Sequence, residues 1–192
     1  MQLSFDKRKQ DCLSKTDKSS IGSWDKPIRE LCEKINKNNK YYTLSSCSGR
    51  IVLIKNIKKK THDLFLFRSH NKINLNQLKN QLEKSIKINI KEGILFKQEP
   101  PILHVCCETL KDAQDLLFKA REKAGWKNSG IMSSQNDKRV ICELRSTESL
   151  GLPIIEKNKV LVNEVFLQVL VREANKRLKS GWEKINRLEK EL

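Results

Sequence analysis

The sequence predicts an α+β fold: a mixed β-sheet with packed helices and a long C-terminal helix. Three observations predict it. Apolar residues recur at i, i+3, i+4 and i+7 in some stretches and in short runs or alternation between them, so helices and strands follow one another along the chain. From about residue 163 a single apolar stripe at helical spacing runs to the end. The seven glycines are never two apart and no G-x-x-x-x-G-K occurs, so neither a dinucleotide-binding sheet nor a P-loop is expected. With 192 residues and no Gly/Ser- or Pro-rich linker, the chain 1–192 reads as one domain.

Phe5 to about Ser14 reads as a weak helix. Asp25 can cap a second one, with Pro27 tolerated in its first turn and Ile28, Leu31, Cys32 and Ile35 on its buried face. Strands follow at Tyr41–Ser45, Arg50–Ile57 and Asp63–Ser69; the first two are expected to be joined as a hairpin. The run Leu64–Phe67 is apolar on both faces, which predicts a central buried strand. Leu75, Leu78, Leu82 and Ile86 mark a helix. Gly93–Lys97 and Ile102–Cys107 are strands, separated by Pro100 and Pro101, which cannot donate to a ladder. Thr109 and Asp112 begin a helix carrying Leu110, Ala113, Leu117, Ala120 and Ala124, and Gly125 ends it. Ile131–Ser133, Arg139–Arg145 and Gly151–Ile155 are strands. The last helix, from Val165, has Phe166, Leu170, Ala174, Leu178, Trp182, Ile185, Leu188 and Leu192 on one stripe, expected to pack on the body rather than on a second copy.

Composition narrows the function. The net charge of +16, from 39 Lys plus Arg against 23 Asp plus Glu, attracts polyanions through counterion release, and RNA or DNA is the obvious partner. A Lys-rich solvated surface is the plainer reading. No run approaches the roughly 20 apolar residues of a membrane span, and the first residues lack a signal-peptide core, so a cytoplasmic protein is expected. Its six cysteines are then expected to be free thiols. Adjacent Cys106 and Cys107 should point to opposite faces of a strand. Cys47, His70, His104 and Cys106 have metal-binding chemistry, but their spacing forms no motif and no metal is expected.

Chemistry concentrates in Tyr41-Tyr42-Thr43-Leu44-Ser45-Ser46-Cys47-Ser48-Gly49-Arg50-Ile51. Small hydroxyl residues and a glycine let a ligand approach the backbone, and Arg50 offers a fork of donors for phosphate or carboxylate. The alternative is a loop whose serines satisfy their own backbone. His70 ends a strand, where binding groups gather, and can take or give a proton near neutral pH. His104 lies inside a strand, the usual place of a structural histidine, but Glu99 just upstream makes it a candidate too. His62 reads as surface. Lys58-Lys59-Lys60 and the basic side chains of the last helix are candidate phosphate contacts, each equally readable as a solvated face. Among Trp24, Tyr41, Tyr42 and Trp126, Trp126 is the best candidate to stack on a base, with core packing as the competing reading.

Several blocks then occur in order. They are Asp17-x-Ser19-x-x-Gly22-Ser23-x-Asp25, the serine–cysteine block, Phe67-Arg68-Ser69-His70 and Glu99-Pro100-Pro101-Ile102-Leu103-His104-Val105. Ala124-Gly125-Trp126-x-x-Ser129-Gly130-Ile131 and Val171-x-x-Ala174-Asn175-x-x-Leu178 follow. From about Phe5 to Leu188 the chain resembles the wybutosine-synthesising protein 3 family, whose members methylate a ring nitrogen of a modified guanosine beside the anticodon of phenylalanine tRNA. Leu44 stands where the family usually has Thr, and Ile21 where it has Lys.

The resemblance implies an S-adenosylmethionine-dependent methyltransferase of wybutosine biosynthesis. Its partner would be the anticodon loop of phenylalanine-type tRNA, and its fold would be α+β rather than that of a Rossmann methyltransferase. On this reading Ser45, Ser46, Cys47, Ser48, Gly49 and Arg50 form a loop that grips a carboxylate, from the methionine moiety or from the substrate's aminocarboxypropyl chain. His70 or His104 accepts the proton released on methylation or orients the base. Asp25 and Glu99 serve a cofactor hydroxyl or ammonium. A non-catalytic basic RNA-binding module is the alternative, and a scaffold that self-associates through its last helix is another.

Overall fold

The computed structural model describes residues 4–14, 23–57, 62–88, 90, 92–134 and 139–192. The stretch 17–22 of the first block and the Lys58–Lys60 run lie outside the described residues. In chain order the elements are α1 (Phe5–Leu13), a 3-10 turn (Lys26–Ile28) running into α2 (Arg29–Lys37), β1 (Tyr41–Cys47), β2 (Arg50–Lys55), β3 (Phe65–Ser69) and α3 (Leu75–Lys87). They continue with β4 (Ile94–Glu99), β5 (Ile102–Cys107), α4 (Leu110–Phe118) ending in a π-turn (Lys119–Lys123), β6 (Gly130–Ser134), β7 (Val140–Arg145), β8 (Leu150–Glu156), β9 (Lys159–Val160) and α5 (Glu164–Glu191). Among the described residues no helix is long and apolar enough to cross a membrane.

The α+β class is as expected, but the strands form two antiparallel sheets rather than one mixed sheet, in the orders β1-β5-β7-β6 and β3-β2-β4-β8-β9. They belong to two compact units interleaved in sequence. The first draws on residues up to Ser48, Pro101–Thr147 and Gly181–Leu192; the second draws on Gly49–Pro100 and Glu148–Ser180. The chain changes sheet at three places: after β1, after β4 and, between Arg145 and Leu150, after β7. At Gly49 the backbone takes φ 92°, a conformation in which a β-carbon is strained. At Pro100–Pro101 no N–H is available to continue a ladder. β1 and β2 are therefore consecutive without being a hairpin.

In the first unit, alternation along β5 sends Leu103, Val105 and Cys107 to the core face. They join Tyr41, Val140, Cys142 and Leu144 beneath α2 (Leu31, Cys32, Ile35), α4 (Ala113, Leu116) and the end of α5 (Ile185, Leu188). Cys106 lies on the opposite face with Phe5 and Tyr42, so the adjacent cysteines diverge as predicted. The described cysteines are free thiols. Cys107 Sγ lies 3.9 Å from Cys142 Sγ, and this contact together with burial pushes the Cys107 thiol up. Burial above all pushes Cys32 up to about 12. Neither thiol is poised to act as a nucleophile at neutral pH.

Trp126 is fully buried in the same core and donates its indole N–H to Lys184 O at 3.1 Å. It is a packing residue, not a base platform; Tyr41 and Tyr42 are also buried. Gly181 sits where α5 touches Pro101: a β-carbon there would fall 2.7 Å from Pro101 Cδ and 2.8 Å from Cγ. Alanine is the better helix former, but a proline ring cannot swing aside. The clash wins, and Gly181→Ala is expected to destabilise the protein by about 1–3 kcal/mol, read as a lower urea midpoint at unchanged slope.

In the second unit, β2 is buried through Ile51–Ile54, and β4 alternates Ile94, Phe96 and Gln98 inward. α3 starts with a reciprocal capping box between Asn74 and Gln77. The apolar run Leu64–Phe67 does not make a central strand: β3 is the edge of its sheet. Phe65 is covered instead by the guanidinium groups of Arg50 and Arg68, at 4.8 Å and 4.3 Å from its ring centroid. α5 buries Leu167, Leu170, Val171, Ala174 and Leu178, whereas Phe166, placed on the stripe by the sequence, is 43% exposed. Only this first position departs from the predicted stripe: Leu167, three residues before Leu170, is buried in place of Phe166. Asn175 Oδ1 accepts from Ile73 N at 3.0 Å and its Nδ2 donates to Ile73 O at 2.7 Å. That pair anchors the loop that carries His70 away from the end of β3.

Candidate active site

Within the first unit, Asn36 at the end of α2 fixes β1: Thr43 N donates to Asn36 Oδ1 at 2.8 Å, and Asn36 Nδ2 donates to Thr43 Oγ1 at 2.9 Å. Directly after this clamp the β1–β5 register slips, passing from Thr43 opposite Val105 to Ser45 opposite His104. The extra residue, Leu44, makes a bulge, and a bulge re-aims the side chains beyond it. Ser45 is brought onto the face carrying His104, and Ser45 Oγ lies 2.8 Å from His104 Nδ1.

The row continues across the sheet. His104 pairs in register with Glu143 of β7, and His104 Nε2 lies 3.1 Å from Glu143 Oε2. Ser45 is exposed, and the His104 and Glu143 side chains are 24% and 28% exposed. Glu143 is opposite Gly130 of β6, where no atom lies within 4 Å of the β-carbon position, so nothing crowds that end of the row. A hydroxyl, an imidazole and a carboxylate are thus in hydrogen-bond sequence at an accessible surface. Such a row can carry a proton away from a bound group.

Asp25 stands at the N-cap position of the 3-10 turn, but its carboxylate does not cap that turn. It accepts from Ser48 N at 2.8 Å and from Ser48 Oγ at 3.1 Å. Ser48 is fully buried. Its donors hold the loop, with Asp25 as the anchor. Ser46 and Cys47 are half-buried at the end of β1.

Within the second unit, Arg50 and Glu99 face one another across β2 and β4, with Arg50 Nε donating to Glu99 Oε2 at 2.6 Å. Their side chains are 26% and 34% exposed. Next to Glu99 on β4 but on the opposite, inward face, Gln98 is 1% exposed; its Nε2 donates to Glu99 O at 2.9 Å and its Oε1 has no hydrogen-bond partner among the described residues. Ser69 pairs with Ile51, which puts the next residue, His70, at the Arg50 end of β2. A turn in which Ser69 Oγ donates to Asn71 O at 2.8 Å and accepts from Asn71 N at 3.1 Å fixes the backbone around His70.

The sequence-predicted residues therefore fall into two groups. Ser45, Ser46, Cys47, Ser48, Asp25 and His104 belong to the first unit; Gly49, Arg50, His70 and Glu99 belong to the second. Glu99 partners Arg50 rather than His104. Glu143, Gln98 and Asn175 were given no role from sequence. The parity of β7 does put Glu143 on the face opposite Val140, Cys142 and Leu144, but that β7 neighbours β5 is not encoded locally.

Over residues 7–192 the sequence matches the family model described as Methyltransferase TYW3. The chain belongs to the TYW3 methyltransferase family. It is 36% identical over 189 residues to the tRNA wybutosine-synthesizing protein 3 homolog of Danio rerio, covering 96% of this chain and 72% of that protein. It is also 36% identical over 167 residues to the tRNA(Phe) 7-((3-amino-3-carboxypropyl)-4-demethylwyosine(37)-N(4))-methyltransferase of Archaeoglobus fulgidus, covering 86% of this chain and 81% of that one. The solved structure of the PH1069 protein from Pyrococcus horikoshii is similar with a TM-score of 0.84 at 31% identity, covering 97% of this chain and 94% of that chain. The TYW3 family assignment agrees with the resemblance read from the ordered sequence blocks.

Proposed function

We propose that this chain is an S-adenosylmethionine-dependent tRNA N-methyltransferase, acting in the cytoplasm on the anticodon loop of phenylalanine tRNA. Its target is a ring nitrogen of a wyosine-type tricyclic guanosine that carries an aminocarboxypropyl chain, a step of wybutosine biosynthesis. One observation carries the catalytic part: the serine of the family's most specific block lies 2.8 Å from a family-block imidazole.

S-adenosylmethionine, when bound, supplies an electrophilic methyl group. The donor set suits its amino-acid end and equally the substrate's aminocarboxypropyl chain. Arg50 offers a guanidinium fork to an α-carboxylate, while Glu99 offers an acceptor to an α-ammonium. A zwitterion can exchange with the Arg50–Glu99 pair, so neither charge is left alone. Asp25, Ser48 and Gly49 hold the loop in shape; Ser46 and Cys47 are assigned to ligand binding beside it. His104 receives the proton given up by the ring nitrogen. His70, beside Arg50 in strand order, is assigned to orienting the base. The net charge of +16 draws the tRNA in.

The decisive experiment is mass spectrometry of nucleosides from phenylalanine tRNA carrying the unmethylated intermediate, after incubation with the protein and labelled S-adenosylmethionine. A labelled methyl on the tricyclic nucleoside supports the assignment. Binding of tRNA with no label incorporated, and no calorimetric heat on adding S-adenosylmethionine, would establish the non-catalytic RNA-binding module instead. Arg50→Ala is expected to weaken binding of the zwitterionic ligand about 10- to 100-fold, the worth of one charge-assisted contact, as read by titration calorimetry.

A further inference from the structure

We propose that Glu143 is a positioning residue for the methyl transfer, and that through it the Ser45 hydroxyl, rather than the imidazole itself, meets the substrate's departing proton. This rests on the methyltransferase reading above and deepens it. Three facts carry it: the Ser45 Oγ–His104 Nδ1 distance of 2.8 Å, the His104 Nε2–Glu143 Oε2 distance of 3.1 Å, and their alignment in one cross-strand row of the first unit.

A carboxylate can only accept, so the ring nitrogen facing Glu143 must carry the hydrogen. In neutral His104 that places the proton on Nε2 and leaves Nδ1 as the acceptor. Ser45 then donates its O–H to Nδ1, and as Ser45 is exposed its oxygen can still accept from a bound group. Both ring nitrogens of His104 are engaged, so a substrate N–H meets the Ser45 oxygen first. The transfer balances. The N–CH3 bond forms as the S–CH3 bond breaks, and the S–C electron pair stays on the leaving thioether. The ring-nitrogen proton passes to Ser45 Oγ, and the Ser45 hydroxyl proton passes to His104 Nδ1. The imidazolium so formed is stabilised by the Glu143 carboxylate at its other nitrogen. The Leu44 bulge has a purpose in this scheme, because without it Leu44, not Ser45, would stand opposite His104.

The test reads the tautomer directly. Nitrogen-15 NMR of the full chain, free of tRNA and methyl donor and at a pH where the rings are neutral, is expected to show His104 protonated at Nε2 and bare at Nδ1, the signal being assigned with His104→Asn. In Glu143→Ala that single tautomer gives way to a mixture. The turnover rate is expected to fall about 10- to 100-fold with KM for tRNA nearly unchanged. Glu143→Gln, whose amide oxygen can still accept from Nε2–H, is expected to restore the tautomer and part of the rate. An Nδ1-protonated His104 in the wild type overturns the proposal, and so does a folded Glu143→Ala protein that turns over at the wild-type rate. If the wild type transfers no methyl to tRNA, the methyltransferase reading fails by itself, while the tautomer result still tells whether Glu143 orients the ring.

Discussion

His104→Ala is expected to slow methyl transfer about 100- to 10,000-fold, the range spanned by removal of a positioned general base. The ring nitrogen of the substrate must lose a proton as it gains a methyl group, and the His104 imidazole, 2.8 Å from the Ser45 hydroxyl of the serine–cysteine block, is assigned to receive it. The rate should not fall to that of the reaction in water. Positioning of nucleophile and methyl donor supplies the larger share of acceleration in such a transfer, and it does not depend on the imidazole. With its side chain 24% exposed on the outer face of β5, His104 is no core residue, so the variant should fold. Single-turnover incorporation of labelled methyl, with circular dichroism on the same preparation, checks both points. His70→Ala should cost less, since His70 is assigned to orientation. A wild-type rate in folded His104→Ala would remove the relay from the mechanism.

The second large effect is on stability. Trp126→Ala is expected to cost about 3–5 kcal/mol, because it deletes a wholly buried indole and leaves Lys184 O without its donor. Chemical denaturation should show a lower midpoint, and Trp126→Phe should recover most of the packing but not the hydrogen bond. At temperatures where Trp126→Ala stays folded, its affinity for tRNA should match the wild type. Unchanged stability with lost tRNA binding would return Trp126 to the base-stacking role that its Gly-Trp-x-x-Ser-Gly setting suggested.

The contrast between these two residues shows where sequence reasoning stops. Trp126 follows a helix end and a glycine, a setting shared by exposed loop aromatics and by aromatics folded back under the helix. Only the arrival of Lys184 from α5, 58 residues later, decides for burial. His104 had the opposite history: a lone histidine inside a strand reads as structural, and the bulge at Leu44 and the neighbouring β7 make it part of a row. Leu64–Phe67 read as a central strand because apolar residues on both faces usually mean burial on both faces. Arginines from β2 and from β3 itself cover Phe65 instead, so an edge strand can carry that pattern.

By itself the sequence determined the type and order of the helices and of every strand but the two-residue β9, the opposite faces of Cys106 and Cys107, the start of the last helix to within a residue, and the blocks that mark the family. Each of these follows from side-chain periodicity, backbone permissiveness or residue identity over a few neighbouring positions. The tertiary structure alone decided that the strands divide into two antiparallel sheets, that Arg50 partners Glu99, and that Ser45, His104 and Glu143 stand in one row. Those facts depend on which strands pair and in what register. Pairing is settled by contacts between residues far apart in the chain, and a one-residue bulge is enough to change which side chain faces a given partner.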